Sequence, residues 1–380
     1  MPAIDTLLID RGPGETRIAA LSDGTVLEIY VHRDGIPRVD AIYRGRVVKA
    51  LSGSGSCFVD IGLDKPAIMT CRSKMPGEGV PVDVRIVQAP RGGKGAKVAI
   101  AEVAEVSAAL QSAGDDTSPP CLLRDADHPV ATYTESYAAT LKSVIIAPSD
   151  FGGRLAALVK ELSDVAVEVV PDDIFSMYGV DAEFECALGR EVTVPGGATV
   201  VIETTAALTT VDIDAGPMDA AAANLASIPI IARQLRLRSI GGPIIVDLIP
   251  APGRDALVGA MREAVAEDPV RTHVSGLTPE GRLELNRRRI RPSLADLYLR
   301  AVTPAPSIES VAFDLLRRSV RQAMTAGSVR VSVRAHPRIV DALHGELRFA
   351  LDEAEQALKT PLTLVPKADQ ALDQFDIYTE

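Results

Sequence analysis

The sequence predicts an α+β protein built from several domains, and three observations support this. The first hundred residues consist almost entirely of short strand-like runs separated by Gly-rich turns. After a linker-like stretch at 110–121, helical and strand patterns alternate. The 380 residues are too many for one small domain and enough for two or three. We therefore expect a β-rich N-terminal part and an α/β remainder.

The N-terminal part divides into two groups of strands. Residues 5–32 predict a short β-meander, from the runs "TLLID", "TRIAALS" and "TVLEIYV". Residues 41–102 hold five further strand-like runs with Gly-rich joints. Five short strands over about sixty residues fit a small closed barrel such as an OB-fold.

Beyond residue 121 the pattern becomes that of an α/β structure. "SVIIAP" (143–148) predicts a buried strand, and "EVTVPGGATVV" (191–201) predicts a hairpin. "MDAAAANLASIPIIARQLRLRSI" (218–240) predicts a helix that ends at Gly241, with Pro229 as a candidate bend. "TPAPS" (303–307) resembles a second linker. Alternating helix and strand patterns over 308–366 then predict a small C-terminal α/β domain.

The charge balance argues against a generic nucleic-acid binder, because such proteins are basic. The net charge is -11 and the isoelectric point is about 5.1. Five short basic clusters nevertheless stand out. Each one alone is more often a solvated helix face than a phosphate site, but together they indicate grooves that bind anions on an otherwise acidic protein. The clusters lie at 43–49, 91–97, 233–238, 282–291 and 317–321.

Several other classes of site are not indicated. The four cysteines are scattered without a C-x-x-C pair, which indicates neither a zinc knuckle nor a redox pair and favours reduced, cytosolic thiols. The N-terminus does not resemble a signal peptide, and no apolar run reaches the length of a membrane span. The sequence has no G-x-S-x-G motif, no P-loop and no histidine pair at ligand spacing. We therefore expect a cytoplasmic protein.

Three aspartates stand in two strand-like runs. Alternation along "TTAALTTVDIDAG" (204–216) places Asp212 and Asp214 on one face, about 7 Å apart. Asp247 stands alone in "GGPIIVDLIP" (241–250), and a run of this kind is usually buried on both faces. An ionised carboxylate there is costly unless it is paired or binds a metal.

If the two strands are neighbours, Asp212 and Asp247 lie about 5 Å apart. Two carboxylates that close repel each other, and a proton, an arginine or a divalent cation relieves the repulsion. Oxygen ligands with open positions suit Mg²⁺, and Mg²⁺ with adjacent arginines is typical of phosphodiester chemistry. The alternative is that these aspartates cap loops at strand ends.

The chain resembles the ribonuclease E/G family in several segments that occur in the family's order. Three long segments carry most of the resemblance, and the family writes them T-E-A-L-T-T-I-D-x-N-S/T, A-R-Q-L-R-L-R-D-x-G-G-x-I-x-I-D-F-I and G-L-x-E-x-x-R-Q-R-x-R-P-S-L. Here they read "TTAALTTVDIDAG", "IARQLRLRSIGGPIIVDLI" and "GRLELNRRRIRPSL". Two further segments, "IYRGRVVKALSGSGSCFVDIG" and "RGGKGAKVA", resemble parts of the family's RNA-binding OB-fold.

The resemblance implies a specific division of the chain. An RNase H-like subdomain is formed by residues 1–37 and by 104–187, which also include the linker. An OB-fold β-barrel over 38–103 is inserted between these two parts. A DNase I-like α/β catalytic subdomain covers 188–302, and the small C-terminal α/β domain covers 303–380.

The resemblance also implies roles for the three aspartates. Asp212 and Asp247 match the family's two Mg²⁺-binding aspartates, with Mn²⁺ as an alternative ion. Asp214 stands where the family usually has an Asn that orients the first of them. The ion activates water and stabilises charge at the phosphate that is cut.

Six residues are candidates for contact with RNA. Phe58 matches a family aromatic on which a base stacks, and its alternative role is in the barrel core. Lys94 matches a family lysine that contacts RNA, and its alternative role is in a solvated turn. The basic clusters supply the other four, which are Tyr43, Arg46, Arg288 and Arg289.

The chain departs from the family in ways that matter for function. It lacks the R-T-A-G-like segment that senses a 5′-monophosphate, and it lacks the C-P-x-C zinc-link motif after "RPSL". We therefore expect no structural zinc and no zinc-linked dimer, and the oligomeric state stays open. Family residues around the site are also replaced, by Ile68, Ala206, Ser239, Pro250 and the pair Pro279-Glu280.

The sequence thus predicts a Mg²⁺-dependent endoribonuclease that cuts single-stranded RNA, leaves 5′-phosphate ends and does not sense the substrate's 5′ end. Because the surroundings of the metal ligands are altered, the alternative is a catalytically weak or inactive RNA-binding protein of the same fold. A nuclease directed at DNA is a third interpretation.

Overall fold

The computed structural model describes residues 3–51, 53, 55–71, 75–90, 94–112, 117–171, 173–205, 207–299, 305–327 and 330–379. Ala206, one of the replaced family positions, lies outside these ranges. Within them, no helix combines the length and the apolar character needed to cross a membrane.

The strands, in chain order, are β1 (Thr6–Gly12), β2 (Glu15–Ser22), β3 (Thr25–Arg33), β4 (Ile42–Leu51), β5 (Ser56–Asp60), β6 (Ala67–Thr70), β7 (Pro81–Gln88), β8 (Lys97–Ile100), β9 (Cys121–Arg124), β10 (Ser143–Ala147), β11 (Ala166–Val169), β12 (Glu191–Thr193), β13 (Thr199–Thr204), β14 (Thr209–Asp214), β15 (Gly242–Asp247), β16 (Thr272–Leu277), β17 (Leu283–Arg287), β18 (Val331–Ala335), β19 (Leu362–Pro366) and β20 (Phe375–Thr379). The helices are α1 (Val103–Ser112), α2 (Pro129–Tyr137), α3 (Ser149–Leu162), α4 (Ile174–Met177), α5 (Val180–Leu188), α6 (Ala220–Leu237), α7 (Arg254–Val265), α8 (Leu294–Tyr298), α9 (Ile308–Ala326), α10 (Pro337–His344) and α11 (Arg348–Leu358).

The chain forms two compact units. The smaller unit contains residues 35–128 and 287–292, and the larger unit contains 1–34, 129–286 and 293–380. The smaller unit includes residues 104–128, which the sequence analysis assigned to the linker and the RNase H-like subdomain. The reason is that β9 pairs with β4, and α1 places Ala109 in a small core with Ile42 and Leu123.

The smaller unit is built on a closed five-strand β-barrel, which confirms the predicted barrel. Its strands follow the order β4-β5-β6-β8-β7 and close because β7 pairs with β4. The β6–β8 pair is parallel and the other barrel pairs are antiparallel. Alternate residues of these strands fill the interior, including Val47, Cys57, Met69 and Val84.

The larger unit begins with a five-stranded sheet of order β11-β10-β1-β2-β3, which confirms the N-terminal meander and the strand at 143–147. Helices α2 and α3 contribute to the core on one side, and α4, α5 and α8 contribute to the core on the other. A small three-stranded sheet, β19-β18-β20, packs with α9, α10 and α11. Its strand β20 lies beyond the range 308–366 in which the sequence analysis placed the alternating pattern of the terminal domain.

The six-stranded sheet of the larger unit has the order β12-β13-β14-β15-β17-β16. β12 and β13 form the predicted hairpin, with Thr193 opposite Thr199. Helices α6 and α7 cover one face, and their apolar residues form a single core with the inward residues of the strands. Helix α6 contains Pro229 and ends at Leu237 rather than at Gly241, because Ser239 takes a left-handed conformation with φ of 55°.

Candidate active site

The two candidate metal-binding aspartates are brought together by strand pairing. β14 and β15 are parallel neighbours, and Asp212 lies opposite Asp247 in their register. Val211 and Ile213 point into the core, so alternation sends Asp212 and Asp214 to the other face, as predicted. Because both strands are parallel and end here, the three carboxylates meet at the carboxyl edge of the sheet.

The expectation that the strand of Asp247 is buried on both faces is wrong. Ile244 and Val246 face the core formed with α6 and α7, whereas the Asp247 side chain is 64% exposed. The strand has one buried face because both helices pack on the same side of the sheet. The carboxylate therefore escapes the cost of desolvation that the sequence analysis assigned to it.

The immediate surroundings of the pair leave both carboxylates accessible. Asp212 is exposed, and its side chain makes no hydrogen bond or ion pair with any residue that the structure describes. Asp247 Oδ1 lies 3.6 Å from Nε of Arg282, which stands one residue before β17. That arginine is itself 51% exposed, so the pair is weak and exchangeable.

Asp214 has the role that the alternative interpretation gave to all three aspartates. Its Oδ1 accepts a hydrogen bond of 2.9 Å from the backbone N–H of Gly216, so it caps the turn that ends β14. Gly216 is required there, because its φ is 53° and a β-carbon would overlap the carbonyl oxygen of Gly197. The turn fixes the end of the strand that presents Asp212.

Asn224 is a positioning residue that the sequence analysis missed. It is fully buried in α6, where its Nδ2 donates to the carbonyl oxygen of Ile249 at 2.8 Å and its Oδ1 accepts from the N–H of Ile249 at 3.0 Å. This two-bond clamp fixes the chain two residues after Asp247. The available signal was a lone amide in the Ala-rich start of a helix, where a buried Asn needs partners.

The donor set fits a hydrated magnesium ion. Across the described ranges, no group of three or more His, Cys, Asp and Glu side chains is arranged to hold a metal. Two exposed carboxylates in register can supply two oxygen ligands and leave the remaining positions to water. Mg²⁺ is usually held in this way, through one or two carboxylates with several waters retained.

On the barrel, two of the candidates for contact with RNA, Phe58 and Lys94, are accessible from outside. Phe58 is half-buried on β5 and absent from the barrel core, where its neighbours Cys57 and Val59 lie. Lys94 is exposed in the loop between β7 and β8. That loop is held by the N–H of Ile68, which donates to the carbonyl oxygen of Ala96 at 2.9 Å.

Strand register places Phe58 in a row of outward residues that crosses four strands. Phe58 pairs with Lys49 of β4 on one side and with Ile68 of β6 on the other, and Ile68 pairs with Lys97 of β8. Both lysines are exposed. Neither lysine was singled out from the sequence, although both belong to the basic clusters at 43–49 and 91–97. Alternation from the core residue Val98 identifies Lys97 as outward-facing, whereas Lys49 stands two residues after the core residue Val47 and faces outward because the register of β4 shifts between them.

The other candidates on the smaller unit are less consistent. Tyr43 is buried in the barrel core, with 8% exposure, which contradicts its selection as an RNA-contacting residue. Burial raises the pKa of its hydroxyl, with a further contribution from Asp125. Arg46 is exposed and donates to the carbonyl oxygen of Gly79 at 2.8 Å. Arg288 is exposed and Arg289 is half-buried, in the segment 287–292 that belongs to the same unit as the barrel.

Two basic clusters place several of their arginines inside the larger unit, although Arg318 is 64% exposed. In the cluster 233–238, Arg236 is buried and contacts Glu28 at 3.3 Å, whereas Arg238 donates to the carbonyl oxygen of Gly189 at 2.6 Å. In the cluster 317–321, Arg317 is buried against Glu15. These buried arginines hold elements of the larger unit together and do not line a groove that binds anions.

A sheet that presents paired carboxylates, together with a barrel that carries a basic and aromatic outer row, is typical of nucleases. Comparison with known proteins defines the family. A sequence profile of the Ribonuclease E/G family matches residues 84–290, more than half of the chain, and the chain belongs to that family.

The chain is similar to several curated ribonucleases. It is 27% identical to ribonuclease G of Salmonella typhimurium (strain SL1344), over 98% of this chain and 99% of that protein. It is 24% identical to ribonuclease G of Haemophilus influenzae, over 99% of both chains. It is 34% identical to ribonuclease E of Escherichia coli (strain K12), over 48% of this chain and 19% of that protein. These relatives support an endoribonuclease function with RNA as the substrate.

Proposed function

We propose that this protein is a Mg²⁺-dependent endoribonuclease that cuts single-stranded RNA and leaves 5′-phosphate ends. The observation that carries the proposal is the register pair Asp212–Asp247, exposed at the carboxyl edge of the six-stranded sheet in a chain of the Ribonuclease E/G family. Two carboxylates held opposite each other repel, and a divalent cation relieves that repulsion while it serves the chemistry.

Asp212 and Asp247 would hold the ion, which when bound would lower the pKa of a coordinated water and neutralise charge on the phosphate. The protein's own contribution is positional. Parallel pairing sets the spacing of the two carboxylates, the Asp214–Gly216 turn fixes the end of β14, and Asn224 fixes the chain after Asp247. Both carboxylates open to solvent, so a long single strand can reach them.

We assign the barrel as the RNA-binding OB-fold of this enzyme. In an OB-fold, the second and third strands and the loop between the fourth and fifth strands contact oligonucleotides. Here those elements are β5 with Phe58, β6 with Ile68 and the loop with Lys94. A half-buried, outward-facing aromatic with lysines in the same row offers stacking to a base and charge to the backbone, and such stacking contributes about 1–3 kcal/mol per base.

The enzyme is proposed to ignore the 5′ end of its substrate. Strand β8 ends at Ile100 and α1 begins at Val103, so no segment between them is long enough to form a sensor. The alignment with the Salmonella ribonuclease G spans 484 residues against 380 in this chain, which means that the relative carries segments with no counterpart here. Equal cleavage rates on 5′-monophosphate and 5′-hydroxyl versions of one oligonucleotide are expected, and a strong preference for the monophosphate would contradict this clause.

We further propose that the protein acts in the cytoplasm and needs no zinc. In the sequence, "RPSL" is followed by "ADLYLRAVTPAPS", which contains no cysteine. The thiols of Cys57 and Cys71 contact each other, whereas Cys121 lies in β9 and Cys186 in α5, and a structural zinc site needs four ligands together.

The decisive experiment is cleavage of a fluorescent single-stranded RNA with Mg²⁺. We expect Asp212→Asn and Asp247→Asn to lower the rate at least about 100-fold, and EDTA to abolish it, because each change removes a ligand or the ion. Asp352→Asn is the matched control, since the Asp352 side chain is 48% exposed and also pairs with an arginine, 2.7 Å away. Unchanged cleavage in both site variants would overturn the proposal.

One observation favours the alternative of a weak or inactive RNA-binding protein. Arg282 already pairs with Asp247, and Pro250 and Glu280 replace family residues in the neighbouring loops. If the wild type binds the RNA in this assay but never cuts it, that alternative is correct. Competition between DNA and RNA strands of equal sequence tests the third interpretation, a DNA-directed nuclease.

A further inference from the structure

Two arginines of the larger unit meet beside the carboxylate pair. The turn between β16 and β17 is closed by the N–H of Gly281, which donates to the carbonyl oxygen of Thr278 at 2.8 Å. Arg282 follows this turn and places its Nε 3.6 Å from Asp247 Oδ1. Arg254, the first residue of α7, lies against the same glycine, because a β-carbon on Gly281 would overlap its guanidinium group.

The two guanidinium groups have few competing partners. Arg254 is half-buried, and among the described residues its side chain forms no ion pair. Arg282 has the exposed Asp247 as its ion-pair partner and also interacts with the charge of the exposed Glu280, and exposed pairs of this kind contribute little free energy. Both cations are therefore available to an anion that approaches the carboxyl edge of the sheet.

The placement fits a backbone phosphate rather than a structural role. Buried arginines elsewhere in this unit have carboxylates or carbonyl groups as close partners, as Arg238 has Gln234 and Gly189. Arg254 and Arg282 instead lie at the edge where Asp212 and Asp247 would hold a cation. A planar guanidinium group can give two parallel hydrogen bonds to phosphate oxygens, and negative charge grows on those oxygens as the bond breaks.

We propose that Arg254 and Arg282 form a phosphate-binding pair for the RNA strand, and that Arg282 is a catalytic residue that contacts the phosphate being cut. This inference rests on the proposed function and adds a role that the family pattern does not contain. The family segment G-L-x-E has Leu where this chain has Arg282. Replacing Arg282 by Leu therefore removes the cation with a residue that the segment accommodates.

The first measurement is the salt dependence of RNA affinity in the Asp212→Asn background, where cleavage does not interfere. Each lost phosphate contact should lower the slope of log affinity against log salt by about 0.7 for a single strand. We expect this change for Arg282→Leu and for Arg254→Leu. Arg348→Leu is the matched control, because Arg348 is 49% exposed and pairs with Asp352, and its slope should equal that of the parent.

The second measurement is cleavage in the otherwise unchanged protein. Arg282→Leu should lower kcat about 100-fold with a smaller effect on KM. Arg282→Lys should retain part of the rate, because a lysine keeps the positive charge but cannot give the two parallel hydrogen bonds of a guanidinium group. Thermal unfolding that matches the wild type excludes a folding defect.

Two outcomes would overturn the inference. The first is an unchanged salt slope in both arginine variants. The second is an unchanged kcat for Arg282→Leu together with a lower Mg²⁺ requirement, which would make Arg282 only a counter-ion for Asp247. If the wild type itself does not cleave, the proposed function fails, and the salt slope still decides whether the pair binds phosphate.

Discussion

Carboxylates face a neighbouring strand in both the N-terminal sheet and the six-stranded sheet. In the first they face arginines, and in the second they face each other. In β1–β2, Asp10 lies opposite Arg17, and in β2–β3, Glu15 lies opposite Arg33. In β14–β15, by contrast, Asp212 lies opposite Asp247. The charge of an acid that faces a base is neutralised within the fold, whereas two acids that face each other need a further cation to neutralise their charge. The difference separates a structural use of carboxylates from a functional one.

The buried acids illustrate the structural use. Asp10 and Glu15 are both fully buried. Burial alone would raise the pKa of Asp10, but the attraction of Arg17, Arg317 and Arg321 outweighs it and holds that pKa below its usual value. The pKa of Glu15 is likewise lowered, because Arg317 and Arg33 outweigh the effect of burial.

These contacts tie the N-terminal sheet to the C-terminal domain. Arg317 and Arg321 belong to α9, which packs in the core of the three-stranded sheet. Arg321 reaches Asp10 Oδ1 at 3.3 Å, and Arg33 Nε donates to Glu15 Oε2 at 2.8 Å. The network therefore holds together segments about 300 residues apart along the chain.

The largest expected effect on stability comes from the replacement of a buried acid. Asp10→Asn leaves three arginines without their shared carboxylate, and we expect it to lower the free energy of unfolding by about 3–5 kcal/mol. Asp212→Asn should leave that free energy unchanged or slightly raised, since it removes an exposed charge that faces another acid. Urea unfolding of both variants checks this, and an equal loss in the two would show that burial does not distinguish the regions.

Acid provides a second test of the same network. Because the folded-state pKa values of Asp10 and Glu15 are lowered, their stabilisation is fully present above the unfolded values of about 3.9 and 4.3. It is lost as the pH falls below those values. The urea midpoint of the wild type should therefore drop more steeply between about pH 5 and 3 than that of Asp10→Asn. Parallel curves for wild type and Asp10→Asn would contradict the assignment.

The sequence predicts the exposed region better than the buried one, for a physical reason. Alternation is local, so "TTVDID" alone predicts that Asp212 and Asp214 share a face. That β14 and β15 are neighbours depends on α6 crossing between them, and the sequence supports it only conditionally. The exposure of Asp247 could not be predicted, because it depends on both covering helices packing on one side.

The buried network was not predictable because its partners are distant in sequence. "RRSVR" at 317–321 has the composition of a phosphate-binding cluster, and only the fold shows that Arg317 meets Glu15. Tyr43 was misassigned for a similar reason, since its position in β4 decides between the barrel interior and the surface. Composition identifies charge, but the partner decides its role.

Asn224 combines features of both regions. It is buried like Asp10 and Glu15, but its hydrogen bonds position the chain beside the exposed Asp212–Asp247 pair. Asn224→Ala leaves the N–H and the carbonyl group of Ile249 without their partner, and the expected loss of stability is about 1–3 kcal/mol. Cleavage should fall as well, since the chain after Asp247 is then less firmly positioned, while RNA affinity stays unchanged. Ser227→Ala is the matched control, because Ser227 is buried in the same helix and its hydroxyl donates to the carbonyl oxygen of Ala223 within that helix, at 2.7 Å. Equal cleavage by Asn224→Ala and Ser227→Ala would show that the amide supports the helix rather than the carboxylate edge.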